Sequence, residues 1–365
     1  MSNLSQTVTG FPTLAARLLL AVFLLGLPAV LSGQNASSLA PGAKPPDVPE
    51  TLKPWIGEYG PTEGTVYILG EKDGVAWILE RKATENDVTY RWIKEFDSEQ
   101  PAAGDPIPPF TPTRDPSDNH RALKVGNLIL RKLTPDFDAR QQILIHPVRP
   151  VAELRKQALA VSPPEENGSF RKPDLVELTT RDPAIHLDIR YATTNDFLGT
   201  PVYTEARAFL ERPAARALLR ALDKLQPLGY GLLIHDAYRP WYVTKIFWDA
   251  TPPEGKIFVA DPKEGSRHNR GCAVDLTLYD LLTGKPIEMP GTYDEMSPRS
   301  FPDYPGGTSR QRWHRDLLRR AMESEGFTVY EHEWWHFDYK DWREYPILNI
   351  KFEDLHSGQG LPSAH

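Results

Sequence analysis

Cysteine is almost missing from this 365-residue chain; Cys272 is the single one. It can close no intramolecular disulfide and build no zinc ribbon, so a metal site here must draw on His, Asp and Glu. Basic charge is not in excess either. Lys and Arg number 42 against 49 Asp and Glu, a formal net charge of −7. That argues against nucleic acid as a partner, since its binders normally carry a basic face. Long apolar runs are scarce. The clearest, LLLAVFLLGLPAVL at residues 18–31, follows Arg17, and no acidic residue precedes Asp47. A bilayer-spanning helix needs about 20 apolar residues, whereas the apolar part of a secretory signal has about 7–15. Residues 1–33 therefore read as a signal peptide cleaved near Ser32 to Ala36, and Pro28 argues against a retained anchor. No cysteine follows the run, which excludes lipid attachment at one. The expectation is an exported protein, periplasmic or secreted, with no stable membrane insertion once the signal is removed.

What the chain does have is a globular composition, 40% hydrophobic and 25% charged, with 35 prolines. Proline averages about 5% of residues in proteins, so many loops and short elements are expected. Residues 34–50, mostly NASSLAPGAKPPDVPE, read as a disordered spacer. Residues 51–150 are β-rich. TVYIL, VAWILE, VTYRWIKEF, LKVGNLILRKL and QQILIHPV are short β-branched and aromatic runs separated by turn signals. EKDG is a hairpin turn in which Gly74 tolerates positive φ. A small barrel or sandwich is the expectation there, and no His/Asp/Glu constellation stands in it.

VAELRKQAL reads as a short helix and SPPEENGSFRKP as a linker, which together occupy residues 151–173. The character changes over residues 174–352, with 353–365 as a tail. IHLDIRYA alternates as a strand. PAARALLRALDKLQPLG is an amphipathic helix, with Pro213 in its first turn and Gly229 at its end. YGLLIHDAYRP is a buried strand running into a turn, and AVDLTLYDL and EWWHFDY are strands. A Pro/Gly-rich loop covers about residues 284–307, and RQRWHRDLLRRAMESEG is a second helix. No strict βαβ repeat appears. The fold class is α+β, a mixed or antiparallel sheet with flanking helices, preceded by a small all-β domain.

Donor residues gather in two places. SRHNRGCAVDLTL places His268 and Asp275 on either side of a glycine-containing turn; EHEWWHFDY offers Glu331, His332, Glu333 and His336. A His–Asp–His set suits a catalytic zinc, because three N/O ligands leave the fourth tetrahedral position for water. A glutamate nearby can take a proton from that water and pass it to a leaving amine. Residues three apart in a regular strand face opposite sides. Glu333 and His336 therefore require either that Glu333 precede the strand proper or that the strand bulge. Spacing leaves His332 open as a ligand, and Trp334 and Trp335 read as core or pocket wall. Cys272 reads as a small buried residue.

SRHNRGCAVDLTL fits S-x-H-x-x-G-x-A-x-D, and EWWH supplies the second half of that pair. Together they resemble the zinc D-Ala-D-Ala dipeptidases, the VanX-like branch of the LAS metallopeptidases (peptidase family M15, subfamily D). LDIRYATTNDFLGTPVY, IHDAYRP and MPGTYDEM resemble further segments of that branch, and the resemblance covers about residues 174–350. It implies one Zn²⁺ per chain on His268, Asp275 and His336, with Glu333 as general base and His332 outside the ligand set. It implies that Arg239 stabilises the tetrahedral intermediate, that Asp294 meets the substrate's amino group, and that Ser266 is a pocket hydroxyl. The implied substrate is a small D-dipeptide from cell-wall peptide turnover. Two alternatives stand beside it: a D,D- or L,D-carboxypeptidase acting on peptidoglycan stem peptides, and a non-catalytic zinc-containing wall-binding protein.

Overall fold

The computed structural model describes residues 39–60, 65–84, 87–96, 110–133, 145–179 and 181–355. The expected signal peptide lies outside the described residues, as do residues 34–38 of the spacer and 356–365 of the tail. Among the described residues, no helix is long and apolar enough to cross a membrane.

The β-rich part is two antiparallel sheets. One runs in the order β1 (Gly57–Tyr59), β2 (Val66–Lys72), β3 (Val75–Thr84), β4 (Asp87–Phe96); the other in the order β5 (Phe110–Arg114), β6 (Arg121–Val125), β7 (Leu128–Arg131). The hairpin β2–β3 turns on Asp73 and Gly74 alone, both at positive φ (53° and 85°), the backbone shape a two-residue hairpin needs. Alternation puts Leu69, Ala76 and Ile78 in a core shared with Phe110, Leu123 and Leu130 of the second sheet. The intervening residues Ile68, Trp77 and Leu79 form a separate buried cluster around Tyr304. These strands are apolar on both faces, which is why their sequence reads as unbroken hydrophobic runs rather than alternation. The expected strand QQILIHPV is different. Its first part lies outside the described residues, and Ile145–Val148 pair with no strand; the Ile145 and Val148 N–H groups donate to Phe197 O (2.8 Å) and Ala250 O (3.0 Å).

The remainder is α+β. Its main sheet has the order β13 (Phe327–Tyr330), β14 (Glu333–Tyr339), β12 (Ala273–Asp280), β11 (Tyr230–Asp236), β9 (Ile185–Leu187). The pair β9–β11 is parallel and the other three are antiparallel. A small ladder joins β8 (Leu175–Glu177) to β10 (Phe209–Glu211). Helix α2 (Arg212–Leu225) buries Ala214, Ala217, Leu218, Ala221, Leu222 and Leu225, the face its 3.6 period marks out. It ends through a 3-10 turn at Gly229, φ 89°. Helix α4 (Ser309–Glu323) packs on α2 and on β12, β13 and β14. It begins at a capping box in which Thr308 and Gln311 satisfy each other's backbone N–H groups. Helix α1 (Val151–Leu159) packs on α3 (Trp241–Ala250) through a face that buries Val151, Leu154 and Ala158.

Residues 39–50, for which composition suggests a loose spacer, are laid along α4. Arg310 Nε donates to Pro45 O (2.9 Å), Trp313 Nε1 to Gly42 O (3.1 Å) and Lys44 Nζ to Tyr230 Oη (2.6 Å). Side chains from elsewhere in the chain supply the partners that the segment's own composition cannot. Past α1, the linker is likewise held, since Glu166 accepts from Arg270 Nη2 and from the Ile347 N–H, each at 2.6 Å.

Candidate metal centre

Three elements of the main sheet bring the donors together. In the β12–β14 pairing Asp275 stands opposite His336, and in the β11–β12 pairing Asp236 stands opposite Asp275. The three acidic and imidazole groups thus form one row across adjacent strands. His268 enters from a short 3-10 turn, Arg267–Arg270. Ser266 caps that turn; its hydroxyl accepts from the His268 N–H (3.2 Å), while Asn269 Oδ1 accepts from the Ser266 N–H (2.7 Å). Asn269 Nδ2 also donates to Arg239 O and Thr244 Oγ1, both at 2.8 Å, tying the turn to the end of β11. Gly271 closes the turn at φ 64°, and a Cβ there would stand 2.5 Å from Leu175 Cδ2. Conformation and space both demand glycine at that point.

The donor atoms form a small triangle. His268 Nε2 lies 3.1 Å from His336 Nδ1 and 3.3 Å from Asp275 Oδ1, and His336 Nδ1 lies 3.0 Å from Asp275 Oδ1. The second nitrogen of each ring is already committed. His268 Nδ1 donates to Ala237 O (2.7 Å) and His336 Nε2 to Asp338 Oδ1 (2.9 Å). That choice leaves His268 Nε2 and His336 Nδ1 as acceptors. Asp275 Oδ1 is buried and has no hydrogen-bond partner. Three acceptors held this close repel one another unless a cation lies among them. Their separations also match the roughly 3.3 Å edge of a tetrahedron whose bonds are about 2 Å. His268, Asp275 and His336 therefore fit a metal ion, and they are the His/Asp/Glu/Cys group with that geometry among the described residues. Without a cation, burial opposes charge on His336, yet Asp338 and Asp275 raise its pKa well above the usual imidazole value.

Glu333 sits beside the triangle, Oε2 3.7 Å from His336 Nδ1. The local backbone explains how residues three apart meet. Val329 of β13 stands opposite Phe337, but Tyr330 stands opposite Glu333. The residues between bulge out of the ladder, so the bulge alternative raised by the spacing is the one the fold uses. Burial pushes the Glu333 carboxyl up to about 7, with Asp275 adding to the rise and His336 opposing it. His332 is not part of the triangle; it lines the same cavity, its side chain 47% exposed and 3.5 Å from Glu331.

Arg239 is held rigidly. Its Nε and Nη2 reach Asp236 Oδ2 at 2.9 and 2.7 Å, and Asp236 Oδ1 accepts from Tyr203 Oη (2.6 Å) and the Ala237 N–H (2.9 Å). The guanidinium packs over the rings of Phe247 (5.0 Å) and Tyr191 (5.4 Å), and Nη2 comes within 4.0 Å of Asp275 Oδ2. The salt bridge to Asp236 fixes where the guanidinium points. Asp294 is half-buried on the 284–307 loop at φ 59°, a costly shape for a non-glycine residue. Tyr191 Oη donates to its Oδ1 (3.1 Å), and its Oδ2 has no partner. Burial, then Asp275 and Glu333, raise its pKa well above the usual carboxylate range. These groups line one cavity of about 350 Å³, along with Ser266 and the apolar walls Phe197, Phe247, Met296, Trp335 and Trp342.

Several supporting residues are not named by the donor pattern. Asp338, Ala237 O, Tyr191 and Tyr203 orient the groups that are. Tyr293 donates to Asp275 Oδ2 (3.3 Å) and stacks on His235. The one sequence signal among these is Asp338, two residues past His336 and so on the same strand face.

The pattern of the family described as "D-ala-D-ala dipeptidase" (Peptidase_M15) matches residues 171–355. The chain is 35% identical over 179 residues to the D-alanyl-D-alanine dipeptidase of Escherichia coli K12, covering 49% of this chain and 91% of that one. It is 36% identical over 189 residues to the protein of that name from Enterococcus faecalis, covering 46% and 92%. It is 35% identical over 175 residues to the one from Streptomyces coelicolor, covering 43% and 87%.

Proposed function

Because this chain belongs to the D-Ala-D-Ala dipeptidase family of peptidase M15 hydrolases, we propose that it hydrolyses D-Ala-D-Ala or a similar short D-dipeptide with zinc on His268, Asp275 and His336. The observation that carries the reading is the buried triangle of three acceptors, with Asp275 Oδ1 unpartnered and Glu333 and Arg239 in the same cavity.

A zinc ion held there supplies a Lewis acid that polarises a carbonyl and lowers the pKa of water towards about 7. Glu333 takes the proton of the attacking water and later delivers it to the leaving amine nitrogen. Arg239, immobilised on Asp236, donates to the substrate oxygen as the carbonyl carbon becomes tetrahedral, at no cost of reorganisation during the step. The unpartnered Asp294 Oδ2 accepts from the substrate's ammonium group. Ser266 Oγ, with a lone pair taken by the His268 N–H, keeps its own proton for donation to the substrate. The apolar run at residues 18–31 supports an exported location, and export supports a role in wall-peptide turnover or scavenging rather than depletion of an intracellular precursor.

The test uses mature protein from about Gln34 onward. Zinc content is measured, and D-Ala-D-Ala, L-Ala-L-Ala and a D-Ala-D-Ala-terminated pentapeptide are assayed side by side. One zinc with cleavage of the D-dipeptide alone supports the reading. Pentapeptide cleavage moves it to a carboxypeptidase, and zinc without cleavage moves it to a wall-binding protein. Glu333→Gln should keep its zinc and lose about 10²–10⁴ in kcat, the range for a general acid–base group; turnover at the wild-type rate would remove Glu333 from the mechanism.

A further inference from the structure

The family match begins at residue 171, and the mechanism leaves the β-rich part without a task. Contacts of that part converge on one place. The outer face of β2 and β3 encloses the ring of Tyr304, which is 2% exposed among Ile68, Trp77 and Leu79. Tyr304 Oη donates to Glu58 Oε1 of β1 (3.0 Å). The Glu71 N–H of β2 donates to Gly307 O (3.2 Å), and Glu71 Oε2 accepts from the Ser309 N–H (2.9 Å). Arg312 Nη2 donates to Glu71 O (2.7 Å).

Tyr304 and Gly307 end the loop that carries Asp294. The loop is bound to itself from there inward. The Tyr304 N–H donates to Phe301 O (3.0 Å), Ser300 Oγ donates to Glu295 O, and Arg299 Nε donates to Pro290 O (3.1 Å) while pairing with Glu295 (3.4 Å). Asp294 itself is held at positive φ, a conformation that persists only where its surroundings over-determine it.

The geometry points to the β-rich domain as a brace on this loop, with Tyr304 as a positioning residue that sets Asp294 for the substrate's amino group. The inference rests on the proposed role of Asp294. It predicts a defect in binding rather than in bond cleavage. Tyr304→Ala should raise KM for D-Ala-D-Ala about tenfold with kcat within about twofold, and Tyr304→Phe, which keeps the ring in its seat, should restore KM to within about threefold of wild type. In an Asp294→Asn background Tyr304→Ala should change KM less than about twofold, because two residues acting through one contact are not additive. A repeated tenfold rise there, or an unchanged KM in the single variant, overturns the inference. Amide hydrogen exchange supplies a readout that needs no substrate. Residues 290–301 should exchange at least about tenfold faster in Tyr304→Ala with β14 unaltered, and unchanged exchange overturns the brace whatever the enzyme cleaves. Should Tyr304→Ala yield no soluble protein, Leu79→Ala loosens the same seat from the sheet side and is read by the same outcomes.

Discussion

A histidine that offers Nδ1 to a metal must have Nε2 committed elsewhere, and Asp338 meets that need for His336. Asp338→Ala should therefore weaken metal binding about 10–100-fold, the usual cost of losing such a partner, as read by competition with a zinc chelator. The same residues show what a sequence can and cannot say about a site. Donor types at 268, 275, 333 and 336 are visible as letters, and the family resemblance sorts them. Which ring nitrogen faces inward depends on Ala237 O and Asp338, and a backbone carbonyl leaves no mark in the sequence. A second buried carboxyl gives a test unrelated to the metal. Glu211 is fully buried; one oxygen accepts from the Asp174 N–H (2.7 Å) and the other has no partner. Burial pushes its pKa from 4.5 up to about 7. The native state thus holds a proton that the unfolded chain releases earlier. The stability this gives is complete below about pH 4.5 and is lost as pH rises through about 7, at most about 3 kcal/mol. Asp196, pushed up to about 6 by burial, acts in the same direction. Urea melts at pH 5 and pH 8 should show this loss, and Glu211→Gln should make it smaller.

Elements whose period matches their burial were legible. Helices α2 and α4 and strands β11, β12 and β14 follow their apolar spacing closely. Helix α3 does not. Its sequence WYVTKIFWDA buries Trp241, Tyr242, Val243, Thr244, Ile246, Phe247 and Ala250, which leaves a narrow outer face of Lys245, Trp248 and Asp249. That stripe is too thin to stand out as a 3.6 period in the sequence, and the aromatic and β-branched residues favour strand. Tertiary burial overrides that preference. Strand β9 is shorter than its alternating sequence suggests. After Leu187 the chain turns into a 3-10 segment, Arg190–Ala192, which carries Tyr191 to Asp294 and Arg239. The pattern was disrupted where the site needed a ring. At the start of α4, Thr308 is a buried cap whose hydroxyl accepts from the Gln311 N–H (3.0 Å). Thr308→Ala should lower stability by about 1 kcal/mol, measured from the urea midpoint, with kcat unchanged.

For the whole molecule, metal and fold are linked, because the ligands come from an inserted turn and two strands that only the folded chain brings together. A ligand at about 100 times its Kd stabilises the native state by about 2.7 kcal/mol. Chelator treatment should lower the unfolding midpoint by an amount of that order, and added zinc should restore it; a midpoint indifferent to both would mean that the triangle holds no ion. The β-rich character of the segment was readable from its runs, with barrel and sandwich both open, but its docking was not, since a strand buried on two faces does not announce what covers the second. That second face has a consequence in time. Trp77 leaves the ribosome roughly 230 residues before Tyr304, which is about 11–45 s at synthesis rates of about 5–20 residues per second. Through that interval Ile68, Trp77 and Leu79 lack the Tyr304 ring that packs on them in the finished fold, and the growing chain carries that apolar face towards its neighbours. Slower translation lengthens the exposure of that face, so misassembly of this protein should increase as the tempo of synthesis falls.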